Sequence, residues 1–466
     1  MTLPLRLGAR RIVSGASAGP FVLDGDALVT HGVIVGMTGS GKTGLVTVLI
    51  EEALRAQIPV LAIDIKGDLP NLKLAIPSLA PEDLAPWVEA ARGDDDGIAD
   101  MPLVREVAAQ RERELAQWKI GARELKDFAD KTCIRVITPG SDAGEPLHLL
   151  SALERRSDRW DHDLEGARAT LAAAVALVLR LIGRDADPGT SREHAVLCAF
   201  AEKRLVSGTG ADLAGLIADV LEPPMEILGA LPIDGYLSPR QRGELAADLN
   251  NLLASPAFVQ WRHGQDLDVG KWMEPVDGKT PATIVSVAHL GDDERALVLG
   301  VVLEEALAWV RRLPGTAHLR ALIVFDEVYG YLPPHPRTPP TKKPLVSLMK
   351  QARAYGVGVV LATQNPMDLD YRALSNAGTW MLGRLQTDAD RQRVVEGLGE
   401  KKKGPISKLL TKIAPRYFIV REAGQSELSL LQPRWAMALL RGPMTGQELR
   451  RVCSPACYPV RPTQPT

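Results

Sequence analysis

The sequence lacks most of what would place it outside the cell or across a membrane. Its 466 residues hold four cysteines, Cys133, Cys198, Cys453 and Cys457. They are too few and too scattered for the disulfide framework of a secreted domain. No hydrophobic run reaches bilayer length, since "ATLAAAVALVLRLIG" is interrupted by Arg180 after roughly eleven residues. The start, "MTLPLRLGARRIV", puts its apolar residues before its arginines, the reverse of a signal peptide. Net charge is almost nil, 55 Lys+Arg against 57 Asp+Glu. No global basic field therefore recruits nucleic acid, and DNA binding requires a local positive channel. Internal repeats are absent too. The expectation is a cytoplasmic, soluble chain without membrane insertion, with docking on a membrane complex left open by composition.

What is present is a series of short β-branched runs, many followed by helical periodicity. "HGVIVG", "IPVLAIDIKGD", "CIRVITPG", "ATIVSVAHL", "RALIVFDE", "GVGVVLATQNP", "GTWMLGRL" and "RYFIVREA" are continuously apolar rather than alternating. Such strands are covered on both faces, as in a parallel sheet flanked by helices. Two excursions interrupt them. One has Val104, Val107, Leu115, Trp118 and Leu125 at helical spacing. The other is a long helical stretch. The expected division is an N-terminal strap (1–31), core (32–80), helical excursion (81–131), core strand (132–150), inserted helical subdomain (151–279), core (280–435) and C-terminal tail (436–466).

"GMTGSGKT" fits the phosphate-loop pattern in full, between an apolar strand and a helix. Its residues Gly36, Thr38, Gly39, Ser40, Gly41, Lys42 and Thr43, with Gly44 after them, would wrap backbone amides around the phosphates of ATP. Lys42 would reach the β- and γ-phosphates, and the Thr43 hydroxyl would hold Mg²⁺. "ALIVFDE" buries a strand that ends in two carboxylates. Asp326 would bind Mg²⁺, directly or through water; Glu327 would be the general base for the attacking water. "VVLATQNP" ends in amides that can touch both the γ-phosphate and the lytic water, Gln364 first and Asn365 second. The order of these strands places an extra strand between the two nucleotide motifs, the layout of ring-forming ATPases with a catalytic glutamate. Arg353 and Arg384 are the candidates for an arginine completing a neighbour's site, each with a plain surface arginine as its alternative. At "DIKGDL", Asp64 is expected to hydrogen-bond the phosphate loop and Lys66 to face a neighbouring subunit, the alternative being a structural turn.

The chain resembles the HerA/FtsK superfamily of ATPases, within it the bacterial HerA-like proteins without a long N-terminal barrel. The resemblance rests on "GMTGSGKTGL", "IDIKGDLPNL", "ITPGSDAGEPLHLLS", "SREHAVL", "IVSVAHLGDDER", "IVFDEVYGYLPP", "KQARAYGVGVVLATQNPMDLDYRALSNAGTWMLGRLQTDADR" and "PRWAMALLRGPMT". It implies an α/β fold: a RecA-like P-loop core, mostly parallel sheet flanked by helices, carrying the helical insertion. It further implies a hexameric, ATP-hydrolysing motor that moves double-stranded DNA or serves a nuclease partner, and it favours Arg384 as the arginine acting in trans. The alternative is an ATP-dependent assembly scaffold that moves no DNA. Two departures stand out. Only residues 1–31 precede the first core strand, so the expected barrel is missing or reduced, and Ile65 replaces a proline common in relatives.

Basic residues cluster at Lys342, Lys343, Lys350 and Arg353, and again at Lys401, Lys402, Lys403, Lys408, Lys412 and Arg416. Sequence-independent tracking of phosphates needs such charge, though a solvated helix face explains it equally. Cys453 and Cys457 lack a second pair for metal binding, and His31 and His289 read as structural.

Overall fold

The computed structural model describes residues 3–12, 17–89, 101–186, 189–364, 369–385, 387–398, 405–423 and 427–453. At its centre lies an eleven-stranded sheet. In chain order its strands are β1 (Pro4–Arg11), β2 (Ser17–Asp24), β3 (Gly32–Val35), β4 (Val60–Asp64), β5 (Thr132–Ile137) and β6 (Thr280–Ser286). Then come β7 (Thr316–Asp326), β8 (Tyr355–Thr363), β9 (Thr379–Leu382), β10 (Phe418–Glu422) and β11 (Ser429–Pro433). The spatial order is β2-β1-β11-β10-β9-β3-β8-β7-β4-β6-β5.

From β9 to β5 every pairing is parallel. From β9 out to β2 every pairing is antiparallel. This is a RecA-like arrangement, with β8 as the strand between β3 and β7, and β4 on the far side of β7. The run "RYFIVREA" thus forms an antiparallel strand, although its composition matches the parallel ones. Residues 423–428 alone separate β10 from β11, too short a link for the dozen or more residues of a parallel crossover.

Strand residues alternate between two hydrophobic layers, as the two-residue period of a strand demands. Val60 and Ala62 of β4 join the layer that covers α1 (Lys42–Arg55), with Leu45, Val48, Leu49 and Ala53. Leu61 and Ile63 face the other layer, which runs on into the helical insertion through Val175, Phe200 and Leu249. Sheet and insertion therefore share one core.

In the 81–131 excursion, α2 (Pro81–Glu89), α3 (Met101–Ala116) and α4 (Ala122–Lys131) bury Val104, Leu115 and Leu125, while Val107 and Trp118 are half-buried. The insertion holds α5 (Leu164–Leu181), α6 (Arg192–Val206), α7 (Leu213–Leu221) and α8 (Pro239–Ala254). Each starts on a polar cap: Asp163, Ser191, Asp212 and Ser238 accept the amide three residues on, a first-turn donor with no helical partner. Then follow α9 (Asp292–Arg312), α10 (Lys342–Gln351) and α11 (Gly446–Val452).

The described residues near both ends are part of the body. Residues expected as a strap form β1 and β2 at the sheet edge. Of the tail expected over 436–466, the described residues 436–453 pack behind α1. The Met437 and Ala438 amides donate to Glu51 at 3.0 and 2.9 Å. Arg434 pairs with Glu51 at 2.7 Å and Glu52 at 2.9 Å, all three buried. Cys457 lies outside the described residues. Among the described residues no helix is long and apolar enough to cross a membrane.

Candidate nucleotide site

Parallel strands deliver their last residues to one edge, and here that edge gathers the tips of β9, β3, β8, β7 and β4. The loop after β3 hangs between two of them: Gly36 donates its amide to the Thr363 carbonyl at 3.1 Å, Met37 to the Arg384 carbonyl at 2.9 Å. Gly39 and Gly41 sit at φ +77° and +90°, the left-handed region that only glycine enters freely. A Cβ at Gly41 would stand 3.0 Å from Arg416, and one at Gly36 would stand 2.5 Å from the Ser40 hydroxyl. That hydroxyl is buried with no hydrogen-bond partner among the described residues. Thr43 lies half-buried in the first turn of α1, and Gly44 is open except for Leu440. A glycine cradle at a helix N-terminus with an orphaned buried hydroxyl fits a phosphate chain.

Opposite the loop, β7 presents its two carboxylates. The Lys42 ammonium lies 2.7 Å from Asp326 and 3.1 Å from Glu327. Burial alone would lower the Lys42 pKa, but the two carboxylates outweigh it and raise it. Glu327 takes φ +64°, uncommon for a non-glycine residue and worth about 1 kcal/mol or more of backbone strain. One of its oxygens accepts the Gln364 amide at 3.1 Å, and the Gln364 side-chain oxygen accepts the Thr38 hydroxyl at 2.8 Å. The other oxygen also meets Lys66 at 3.0 Å. Burial would push the Glu327 carboxyl up, yet Lys42, the Gln364 amide and Lys66 bring it below the usual range. Glu327 is therefore held ionised.

The "DIKGD" turn departs from expectation at both residues. Asp64 does not bond the phosphate loop; it accepts the amides of Gly67 and Asp68 at 2.9 and 3.2 Å and the Ser286 hydroxyl at 2.9 Å. Because β6 and β7 flank β4, Asp64 is sealed beneath its own turn. Complete burial raises its pKa to about 7, with Asp326 and Asp68 adding to the effect against the Ser286 and Gly67 hydrogen bonds. Lys66 points to Glu327 of its own chain, and Asp68 is raised by burial and by Asp326.

The family model described as "Helicase HerA, central domain" matches residues 11–134, which include the phosphate loop and the Asp64–Asp68 turn. Over those residues the chain is similar to the HerA central domain. No protein of curated function matches it in sequence. In fold it is similar to VirB4 of Thermoanaerobacter pseudethanolicus, at 14% identity over 92% of this chain and 96% of that one, TM-score 0.54. It is also similar to the bacterial conjugative coupling protein TrwB, at 14% identity over 94% of this chain and 92% of that one, TM-score 0.50. A TrwB complex with ADP and Mg²⁺ matches at 14% identity over 95% and 98%, TM-score 0.50.

In this fold the two candidate arginines lie at opposite ends of the strands beside β3. Arg384 follows β9, exposed, its carbonyl bonded to Met37 of the phosphate loop. Arg353 is exposed just before β8 begins. It lines a cavity with Lys350, Asp26 and Thr30, so it stands away from the nucleotide edge of its own chain. Asn365 and Lys401, Lys402 and Lys403 lie outside the described residues. In the other basic cluster Lys342 is paired with Asp370 at 3.3 Å, while Lys343 and Lys350 are exposed.

Arg416 is the residue that sequence reasoning missed, since it read there as one more basic side chain. Its amide donates to the Ser40 carbonyl at 2.8 Å, and its guanidinium stacks 3.2 Å over Trp435. It thus braces the phosphate loop from behind. His31 accepts the Val359 amide and is driven to a pKa of about 4 by burial, and by the Arg353 charge. His289 bonds the Pro139 carbonyl at 2.8 Å. Both are structural.

Proposed function

We propose that the chain is an Mg²⁺-dependent, ATP-hydrolysing ring motor of the HerA-like type, cytoplasmic and hexameric. It moves double-stranded DNA or couples ATP turnover to a nuclease-type partner. The observation that carries this reading is the connected set Lys42, Asp326, Glu327, Gln364 and Thr38 around the phosphate loop. A TrwB structure with ADP and Mg²⁺ in the same fold supports the choice of nucleotide and metal.

In this reading the amides from Gly36 to Gly44 and the Lys42 ammonium bind the phosphates, and Thr43 and Asp326 hold the metal. When bound, the ion neutralises charge that builds on the phosphate oxygens. Glu327, kept ionised, orients the attacking water and takes its proton. Gln364 links the loop at Thr38 to Glu327, so it registers whether the terminal phosphate is present. Arg384, exposed at the loop, supplies the further positive charge.

ATP turnover of the purified protein, with and without linear duplex at low salt, tests the proposal together with its native mass. Mg²⁺-dependent turnover that rises with duplex, from a hexamer, is expected. Turnover indifferent to duplex, with no mobility shift, would replace DNA movement by the assembly-scaffold reading, and a strict monomer would end the ring.

A further inference from the structure

We infer that Lys66 is a positioning residue for Glu327, holding the glutamate carboxylate in place after Lys42 has turned to the phosphates. The inference rests on the reading of Glu327 as the general base. Both lysines meet the same Glu327 oxygen, Lys42 at 3.1 Å and Lys66 at 3.0 Å. Lys42 has a second duty, because the phosphate-loop lysine binds the nucleotide. Once it leaves, Lys66 is the cation still touching Glu327 among the described contacts.

The turn that carries Lys66 is anchored from three sides. Asp64 accepts the Gly67 and Asp68 amides, and the Asp64 carbonyl accepts the Val287 amide at 3.0 Å. Gly67 takes φ +87° and its carbonyl accepts the Met444 amide at 3.0 Å. Asn71 bridges the Asp68 and Gly442 carbonyls, 2.8 Å to each. A lysine on a loose loop would lose much of its contact to side-chain entropy; on this turn only the side chain is left to order. The side chain stays 39% exposed while Glu327 is 12% exposed, so the ammonium reaches inward from the solvent side. The groups facing Glu327 are Lys42 from α1, Lys66 from the turn, Asp326 on its own strand and the Gln364 amide from β8. Removing Lys66 leaves Glu327 without a lysine partner whenever Lys42 is engaged elsewhere.

Two experiments test this. In the first, a carbodiimide joins touching lysine and carboxylate side chains as an isopeptide, read by peptide mass spectrometry. The nucleotide-free protein should yield Lys42–Glu327 and Lys66–Glu327 links. Addition of ADP and Mg²⁺ should suppress the first and keep the second; loss of both would overturn the proposal. The second compares Lys66→Met with Lys66→Arg. The Met variant should lose about tenfold in kcat with KM for ATP little changed. Arg should restore most of the loss. An unchanged kcat, a rise in kcat, or a change confined to KM would each overturn it. Absence of hydrolysis in the wild type would instead refute the ATPase reading, with the cross-links still deciding the place of Lys66.

Discussion

Replacing Asp64 by Asn removes an ionisable group that the fold buries completely while keeping its shape. In the folded chain its carboxyl titrates at about 7 against the ordinary 3.8. Between those values the folded protein keeps the proton and the unfolded chain has lost it, so stability falls as pH rises across the window and levels off above 7. At ~1.4 kcal/mol per pH unit the full window is worth about 4 kcal/mol at most. In the Asp64→Asn variant the carboxamide oxygen can still accept the Gly67 and Asp68 amides, and the Ser286 hydroxyl can turn to accept from the new NH₂ group. The advantage of the variant over wild type should therefore widen by up to about 3 kcal/mol between pH 5 and pH 7 and stay flat to pH 8.5. Urea unfolding of both nucleotide-free proteins, followed by tryptophan fluorescence across that range, measures it. Asp68 and Asp326 are common to both proteins and cancel in the difference. A gap that does not change with pH would refute the reasoning, showing that the three hydrogen bonds hold Asp64 ionised at no net cost.

Three other outcomes follow from the geometry. Arg434→Met leaves the buried Glu51 and Glu52 without their shared guanidinium, and should cost about 3–5 kcal/mol, seen as a lower urea midpoint. Gln364→Ala cuts the link from Thr38 to Glu327; it should retain ADP affinity within about threefold while slowing turnover about ten- to a hundredfold. Arg384→Ala should lose turnover, and mixing it with Lys42→Ala subunits should restore some activity if the arginine acts across an interface. No recovery would assign Arg384 to the loop of its own chain, which its carbonyl already touches.

The parts of the fold legible in the sequence were those coded locally. The phosphate loop announces itself by glycines at fixed spacing, and Asp326 and Glu327 by an apolar run that must end at a strand tip. The partner of Lys66 was not legible, because Glu327 lies 261 positions away and meets it only when β7 is laid beside β4. Arg416 carried no signal for the same reason. The antiparallel edge was hidden because β10 is as apolar as its parallel neighbours, and direction is set by connection length rather than composition. The segment from 436 to 453 looked like a tail because its tie to α1 is a pair of backbone amides, of Met437 and Ala438, on the buried Glu51 carboxylate, which hydropathy does not show.

In the proposed function, hydrolysis depends above all on Glu327. Steady-state ATP turnover of Glu327→Gln, with binding of a fluorescent ATP analogue measured on the same preparation, tests that role most directly. Binding should remain within about threefold of wild type, with turnover down by about 10²-fold or more. A variant that binds the analogue and hydrolyses ATP at the wild-type rate would contradict it.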